Sequence, residues 1–357
     1  MVYTIIYGAQ STAVGVYEGL YHLNGEKNEV SCFLVSSLKK NPNMLKNLPV
    51  YELGTFMKDK TLSQRKRMKV YIATPIIFFD EIEDLLVTYG IEKIIRVDKE
   101  LFYKFQRSYS KKLDILDLDD FEICNQSDFS LEIFQAVHHK DKVLTQYYKT
   151  EKNIHRLQVG AALSKKRFSV LCDDIGISNI SKKNGDFSEI TGLYWIWKNR
   201  INYQRGKINY YGLYHYRRVL NLATEKLANV DIVLPYPMPC EPNITQHAIK
   251  YITEKEWEVT LQVLEELHPN QMRLYQNIIH QRYLYNYNIF VAKDNVLADY
   301  CQWLFPILFK IEEKMKLGGK RIPNRYIGYI AEILETIYFM SNKQSYTIAH
   351  CSCFLLV

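Results

Sequence analysis

The sequence predicts an α/β protein with two domains, on three observations. Apolar, β-rich runs alternate with helical patterns from the first residues onward, which is typical of parallel sheets with right-handed crossovers. The length of 357 residues suits two domains. Hydrophobic residues make up 47% of the chain and charged residues 24%, so the chain can bury a large core.

The first domain is predicted to be small and Rossmann-like and to span residues 1–107. Its strands are expected at residues 2–7, 30–36, 69–74 and 93–97, with helices at 14–23 and 80–89. The first strand ends in the turn GAQSTA, which begins at Gly8 and lacks the second and third glycines of a dinucleotide-binding loop. No acidic residue clearly ends the second strand. A structural or assembly role is therefore favoured for this domain over NAD binding.

A linker is predicted at residues 108–128, before a second domain at 129–357. The linker segment is polar and acidic and has little periodicity. Its acidic residues Asp117, Asp119 and Asp120 lack the glycine and the closing glutamate of a calcium loop, so a solvated linker is the better interpretation than a metal site.

The net charge limits the kinds of binding partner that are expected, and the cysteine content indicates the cellular compartment. The net charge of +7 suits an anionic ligand or an anionic membrane surface. Basic residues form only short clusters, at 65–67 and 165–167, so nucleic acid is not an expected partner. The seven scattered cysteines are typical of reduced thiols in a cytoplasmic protein. Neither a signal-peptide pattern nor a bilayer-spanning apolar run is present. We expect a cytoplasmic protein, with peripheral contact at the inner face of the membrane left open.

Polar side chains follow two apolar runs of the second domain. Asp173 and Asp174 end the run at 168–172, and His215, Arg217 and Arg218 end the run around 210–213. Open α/β sheets bind ligands at the carboxyl ends of their strands. The sequence therefore predicts a ligand site where these two strands end.

Several motifs of the second domain resemble a known family. They are VGAAL at 159–163, NISKKN at 179–184, SEITGLYWIWKN at 188–199, HYRR at 215–218, NIF at 288–290, and Arg325 with Glu332. These motifs resemble a bacterial capsular polysaccharide synthesis glycosyltransferase family that is described as domain of unknown function 4422. The resemblance covers the second domain and leaves the first domain outside.

The resemblance implies a GT-A-like fold and a hexosyltransferase activity. The expected reaction moves a sugar, with galactose as one candidate, from a nucleotide-sugar donor to a growing capsular polysaccharide, exopolysaccharide or lipid-linked acceptor. A UDP-sugar is the favoured donor. Two alternatives stay open: a non-catalytic sugar-nucleotide-binding or assembly protein of the same pathway, and an NAD-dependent oxidoreductase.

Arginines are predicted to replace a metal at the donor phosphates. Many GT-A enzymes use Asp-x-Asp and a divalent cation, but HYRR stands in that place here. An arginine offers a permanently charged fork for phosphate oxygens. A metal-independent enzyme is therefore favoured, with Mn²⁺ or Mg²⁺ left open and a purely structural role for both arginines as the alternative. The predicted donor-binding residues are Gly160, Asp174, Asn179, Lys183, Asn184, His215, Arg217 and Arg218.

A general base is required if the transfer inverts the anomeric centre. The candidates are Asp174, Glu189 and Glu332. Glu332 is favoured, because the apolar neighbours expected around it would raise its pKa. A structural pair between Glu332 and Arg325 is the alternative, and a retaining enzyme would need no base. Asp174 is equally compatible with holding a sugar hydroxyl or with anchoring its loop. The predicted acceptor-binding residues are Glu189, His247 and Arg325.

Overall fold

The chain folds into two units. A computed structural model describes residues 3–27, 29–124, 129–144, 152–201, 208–317 and 324–356. The first unit comprises Met1–Ile115 with Met238–Glu241, and the second comprises Leu116–Pro237 with Pro242–Val357. Among the described residues, no helix is long and apolar enough to cross a membrane.

The first unit is built on a six-stranded sheet. Its strands are β1 (Tyr3–Tyr7), β2 (Val30–Val35), β3 (Met44–Leu45), β4 (Leu48–Glu52), β5 (Met68–Ile72) and β6 (Lys93–Arg96). Their order is β3-β4-β2-β1-β5-β6, and every pair except β3–β4 is parallel. The helices are α1 (Ser11–Leu23), α2 (Leu53–Lys58), α3 (Leu62–Arg65), α4 (Phe79–Thr88) and α5 (Lys99–Lys112).

Each face of this sheet has its own apolar cluster, as alternation along a strand requires. Ile5 and Tyr7 belong to one cluster and Ile6 to the other. The predicted Rossmann-like parallel sheet is confirmed.

The predicted linker differs from what the structure contains. Residues 108–112 form the last turns of α5, which buries Phe105 and Tyr109 and exposes its polar residues. A helix with only one apolar face reads as polar in a composition-based analysis. Asp117 is only 2% exposed, and the hydroxyl of Tyr236 donates to its carboxylate at 2.5 Å. Residues 125–128 lie outside the described residues.

The second unit is built on a larger sheet. The strands of this sheet are β7 (Leu116–Asp117), β8 (Phe129–Val137), β9 (Ile154–Gln158), β10 (Leu171–Cys172), β11 (Ile208–His215), β12 (Arg218–Leu220), β13 (Ile232–Pro235), β16 (Phe290–Lys293), β17 (Ile348–Cys351) and β18 (Cys353–Leu355). Two short strands lie outside it: β14 (Met238–Pro239), in the segment counted with the first unit, and β15 (Tyr283–Leu284). The main path runs β10-β9-β8-β11-β16-β13-β17-β7.

One strand in the middle of this sheet runs against the others. Strands β10, β9, β8 and β11 are mutually parallel, whereas β16 is antiparallel to both β11 and β13. The start of β16 therefore lies at the edge where β11 ends. This reversal brings the residues that precede β16 to the carboxyl ends of the parallel strands.

Among the described residues, seven α-helices accompany the second sheet. They are α6 (Asn184–Phe187), α7 (Ile190–Asn199), α8 (Ile244–Ala248), α9 (Glu254–Leu267), α10 (Met272–Ile279), α11 (Asp294–Lys316) and α12 (Tyr326–Ser341). Thr253 and Glu256 form a reciprocal capping box at the start of α9. Helix α12 buries most of its residues. The α/β class predicted for both units is confirmed.

Candidate active site

Segments that are distant in sequence meet at one edge of the second sheet. Strands β8, β9 and β11 are parallel neighbours, and β16 begins beside the end of β11, where Leu213 pairs with Phe290. The first turn of α12 joins them, because the Asn288 side-chain amide donates to the carbonyl of Gly328. The segments that converge here are 138–141, 160–161, 215–217, 287–288 and 325–328.

Glu189 is the centre of a buried polar cluster at this edge. Its side chain is 9% exposed, and the Asn288 amide donates to its Oε1 at 2.7 Å. The Nε2 atom of His215 lies 3.6 Å from the same oxygen, and Nη2 of Arg325 lies 4.0 Å from Oε2. Three residues from separate elements thus surround one carboxylate. We call Glu189, His215, Asn288, Arg325 and Glu332 the carboxyl cluster.

Glu332 shares this cluster. Burial raises its pKa to about 8, and the nearby Glu189 carboxylate adds to the rise. The backbone N–H of Tyr287 donates to the Glu332 carboxyl, and the charges of Arg218 and Arg325 oppose the shift. A carboxyl with such a pKa can exchange a proton near neutral pH.

A third acid lies one turn further along α12. Glu335 is 0% exposed, and neither of its carboxyl oxygens has a hydrogen-bond partner among the described residues. Burial raises its pKa well above the usual range, and Glu332 contributes to the shift. Burial therefore favours the neutral form of the Glu335 carboxyl behind Glu332.

Arginines supply positive charge beside the carboxyl cluster. Arg217 is exposed and forms no ion pair within the part of the chain that the structure describes. The Arg218 guanidinium lies 3.6 Å from the centre of the Tyr287 ring. Arg217, Arg325 and Arg156 all act to lower the pKa of Asp141, although burial still raises it overall. Positive charge is thus concentrated where the parallel strands end.

Unusual backbone conformations also concentrate at this edge. Eight non-glycine residues of the described chain have a positive φ, and four of them belong to this site. They are Ser188 at 50°, Tyr287 at 81°, Asn288 at 49° and Arg325 at 65°. The Arg325 side chain donates to the Ser188 hydroxyl at 2.9 Å. Left-handed backbone is costly for such residues, and its clustering is characteristic of functional sites.

Two buried polar atoms of the carboxyl cluster lack partners. Asn288 Oδ1 and His215 Nε2 form no hydrogen bond among the described residues, although Asn288 is only 1% exposed. Burial lowers the pKa of His215, so its ring is neutral at pH 7. Buried polar atoms in folded proteins usually have partners. These two atoms are therefore not accounted for by folding alone.

An aromatic pair adjoins the cluster. Tyr251 is 51% exposed, and its ring stacks on that of Tyr329 with 5.2 Å between ring centres. His247, predicted to contact the acceptor, is only 8% exposed and packs behind Tyr251. Burial lowers the pKa of His247 to about 4. The exposed group at this position is thus Tyr251, because His247 faces inward from the short helix α8.

Asp173, the first acid of the pair at 173–174, holds several segments together through hydrogen bonds. Asp173 is 0% exposed and accepts four hydrogen bonds. Its donors are the backbone N–H groups of Gly160 at 2.9 Å and Ala161 at 3.0 Å, and the hydroxyls of Ser181 at 2.5 Å and Thr191 at 2.7 Å. We call this set the Asp173 network. The N–H of Gly160, predicted to contact the donor, is bonded to Asp173 here.

Asp174 has a different environment. It forms an ion pair with Arg167, with 2.6 Å between Nη2 and Oδ2, and its backbone carbonyl accepts from the Asn179 amide at 3.3 Å. Asp174 and Asn179 were both predicted to contact the donor. Their observed contacts fit the loop-anchoring alternative. The sequence shows that polar residues follow a strand, but it does not show which partners their side chains bind.

Two further predicted donor contacts have protein partners. Lys183 forms an ion pair with Glu312 of α11. Asn184 is 7% exposed, and its amide donates to the Ser188 carbonyl at 2.7 Å and to the Thr191 hydroxyl at 3.1 Å. The structure thus brings together His215, Arg217, Arg218, Glu189, Arg325 and Glu332. It assigns Asp174, Asn179, Lys183 and Asn184 to internal contacts.

Sequence reasoning missed several residues of this edge. Asn288 and Tyr287 precede a strand, whereas the ligand site was predicted from residues that follow strands. The antiparallel direction of β16 explains the omission. Asp141 and His138 were missed too: the His138 N–H donates to the Asp141 carboxylate at 2.6 Å. The motif NIF at 288–290 was the one sequence feature that pointed to Asn288.

Among the described residues, no group of three His, Cys, Asp or Glu side chains could hold a metal ion.

Comparison with known proteins places this site within a family. No curated protein matches the chain. A solved structure, the WbbM bifunctional glycosyltransferase in its apo form, matches with a TM-score of 0.55 and 24% sequence identity over 64% of this chain. The chain spans 45% of the length of that protein, and the likeness establishes the fold. The family profile described as domain of unknown function DUF4422 matches residues 132–343. The chain therefore belongs to the DUF4422 family.

Proposed function

We propose that this protein is a glycosyltransferase that moves a hexosyl group from a nucleotide-sugar donor to a saccharide acceptor. One observation carries the proposal. Two carboxyl side chains, Glu189 and Glu332, lie beside Arg217, Arg218 and Arg325 at the carboxyl ends of parallel strands, on a fold similar to that of a glycosyltransferase. Sugar transfer needs both kinds of group: cations for the departing phosphate and a carboxyl for the proton.

The arginines are proposed to bind the donor pyrophosphate. Arg217 is exposed and has no acidic ion-pair partner within the described chain, so its guanidinium is available for phosphate oxygens. Arg325 is 63% exposed and lies at the start of α12, where the helix dipole also favours an anion. The charge that develops on the leaving nucleoside diphosphate would be neutralised there without a divalent cation. A UDP-sugar is the proposed donor.

Glu332 is proposed as the general base. The acceptor hydroxyl would give its proton to the Glu332 carboxylate as its oxygen bonds to the anomeric carbon. The bond from that carbon to the phosphate oxygen breaks, and the nucleoside diphosphate leaves with the electron pair. A base is most effective when its pKa lies near the working pH, and that of Glu332 is raised to about 8. Glu189, whose Oε1 accepts from the Asn288 amide, would lie beside the reacting carbon.

The acceptor is proposed to lie against the aromatic pair. Tyr251 offers an exposed ring stacked on Tyr329, and sugar rings pack well on such surfaces. Asn288 Oδ1, which accepts no hydrogen bond from the described residues, would accept one from a hydroxyl of one of the substrates. We propose a growing capsular polysaccharide, an exopolysaccharide or a lipid-linked saccharide as acceptor, with galactose as a candidate for the transferred sugar. The proposed location is the cytoplasm, at the inner face of the membrane.

Calorimetric titration with UDP, GDP, CMP, UDP-sugars and NAD tests this function, each in EDTA and in manganese. We expect one nucleoside diphosphate and its sugar to bind in EDTA, and Arg217→Ala to weaken that binding about tenfold, the loss of one charge-assisted contact. Arg167→Ala is the matched control, because Arg167 already pairs with Asp174.

Three outcomes would contradict the proposal in different ways. Binding that requires manganese would exclude the metal-independent donor site. Binding of a UDP-sugar that is never transferred or hydrolysed would favour a binding or assembly protein. Binding of NAD alone would redirect attention to the first unit.

A further inference from the structure

Five large apolar side chains are exposed near one edge of the second sheet. Strand β10 is the last strand on that side, and the loops around it carry all five. Val170 is 96% exposed and Ile177 is 92% exposed, followed by Ile175 at 61%, Leu163 at 52% and Phe168 at 40%. We call these five residues the edge patch. Large apolar side chains exposed together on neighbouring loops are characteristic of an interaction site.

Hydrogen bonds and an ion pair join the loops that carry the edge patch. Arg167 and Asp174 are 2.6 Å apart, which links the loop before β10 to the loop after it. The N–H of Ile177 donates to the Asn199 side chain at 2.6 Å, and the N–H of Phe168 donates to Gln158 at 3.1 Å. These backbone contacts leave the apolar side chains outside, so their exposure is a consequence of defined local structure.

Positive charge surrounds the edge patch. Lys165, Lys166 and Lys182 are exposed, and none forms an ion pair among the residues that the structure describes. Of the two acids in the same stretch, Asp174 is paired with Arg167 and Asp173 is buried with four donors. Three lysines therefore contribute charge that no neighbouring acid offsets.

We propose that the edge patch attaches this unit to the surface of an anionic lipid bilayer. Apolar side chains that enter the headgroup region, combined with lysines that meet anionic lipids, are the features that bind proteins to such surfaces. A core contact does not explain side chains that are more than nine-tenths exposed, and a neutral apolar partner would not explain the three lysines. The proposal does not depend on the transfer reaction.

The position of the edge patch relates membrane attachment to the carboxyl cluster. Leu163 ends the turn whose N–H groups at Gly160 and Ala161 bind Asp173, and Asp173 also receives the Thr191 hydroxyl at the start of α7. Glu189 is two residues before Thr191. If the proposed function holds, a lipid-linked acceptor at the bilayer surface would be presented close to the site.

Vesicle co-sedimentation tests this attachment directly. The full chain is mixed with vesicles of equal parts phosphatidylglycerol and phosphatidylcholine, or of phosphatidylcholine alone. We expect binding to the anionic vesicles that weakens at high salt, because screening reduces the lysine contribution. Val170→Asp combined with Ile177→Asp should reduce binding at least about tenfold, and Lys165→Glu combined with Lys166→Glu should do the same.

The matched control is Val87→Asp, the same substitution at a 57% exposed valine of α4 in the first unit. It should leave vesicle binding unchanged. The second measurement is the molar mass of the vesicle-free protein by light scattering, which shows whether it is a monomer or a dimer. Absence of vesicle binding by the wild type, or equal binding by the Val170 and Ile177 variant, would overturn the proposal. So would a dimer that the same variant dissociates, since a second copy would then cover the edge patch. Donor titration is measured separately, so failure here leaves the proposed function standing.

Discussion

The Asp173 network and the carboxyl cluster are two buried polar clusters of the second unit. They differ in how many of their buried polar atoms form hydrogen bonds. In the Asp173 network, one carboxylate receives four donors, two from backbone and two from hydroxyls. In the carboxyl cluster, Asn288 Oδ1 and His215 Nε2 form no hydrogen bond with any described residue, and neither do the two carboxyl oxygens of the adjacent Glu335. The two clusters are neighbours, since the Asn184 amide donates both to the Thr191 hydroxyl of the first and to the Ser188 carbonyl beside Glu189.

This difference separates a structural role from a chemical one. A buried polar group with all its hydrogen bonds stabilises one conformation, whereas an incompletely bonded group costs about 1–3 kcal/mol. A fold tolerates that cost where a ligand completes the bonds or where a proton must move. The carboxyl-cluster edge also has a left-handed backbone, which costs conformational energy. The residues concerned are Ser188, Tyr287, Asn288 and Arg325.

The largest expected effect is on the Asp173 network. Asp173→Ala should lower the free energy of unfolding by about 4 kcal/mol, because four buried donors lose their acceptor. Thermal unfolding should then occur about 10 °C lower. Asp174→Ala is the control: an exposed ion pair contributes about 1 kcal/mol or less. Equal losses for the two variants would contradict the structural assignment of Asp173.

The next effect concerns proton transfer at Glu332. Glu332→Gln should lower kcat by about 10²–10³-fold while donor binding persists, since the amide cannot accept the proton. The wild-type kcat should rise with pH, reach half its maximum near pH 8, where half of the Glu332 carboxyl is ionised, and level off above that pH. That limb should vanish in the variant.

Glu335→Gln provides the comparison on the same helix. Burial favours the neutral form of Glu335, so the isosteric amide should leave kcat within about threefold of wild type. An unchanged rate and pH profile in Glu332→Gln would remove the general base from the mechanism and favour retention of configuration.

Substitution of Gly160 distinguishes a structural role of this residue from a role in donor binding. Its φ is 62°, and an added Cβ would lie 2.7 Å from the Asn184 side chain. Gly160→Ala should cost about 2 kcal/mol of stability, from the left-handed backbone and the clash together. Gly25→Ala is the matched control, because its φ is 67° and no atom lies within 4 Å of the added Cβ. A large loss of donor affinity in Gly160→Ala, with stability unchanged, would restore the donor contact expected from the sequence.

The smallest effect is expected at Arg156. This arginine acts on Asp141 more weakly than Arg217 or Arg325 does. Arg156→Ala should raise the KM for the donor about two- to threefold at low salt, and less when salt screens the charge. The measurement is initial rate against donor concentration at two ionic strengths. A change above tenfold would make Arg156 a direct phosphate ligand and widen the site beyond the carboxyl cluster.

The sequence predicted the elements better than it predicted the contacts. The helices predicted at 14–23 and 80–89 depend on local pattern, and both are confirmed, as α1 (Ser11–Leu23) and α4 (Phe79–Thr88). Helix α5 was missed, because the polar face dominates its composition while Phe105 and Tyr109 carry the packing. Periodicity is a local property, so elements with a clear pattern are accessible from sequence alone.

The site was partly predictable. Glu189, His215, Arg325 and Glu332 were all named from sequence, and they meet in one cluster. Which acid of the pair at 173–174 is buried depends on tertiary hydrogen bonds. The role of Asn288 depends on the reversed direction of β16. Neither property leaves a local trace in the sequence.

Strand β7 has a practical consequence for anyone who prepares the second unit separately. The family match begins at residue 132, but the fold begins at Leu116, where β7 pairs with β17. A recombinant fragment cut at the family boundary would lose Asp117, the partner of the Tyr236 hydroxyl, and would uncover the edge of β17. Uncovered strand edges promote aggregation. Fragments that start at residue 116 should be easier to purify than fragments that start at residue 132.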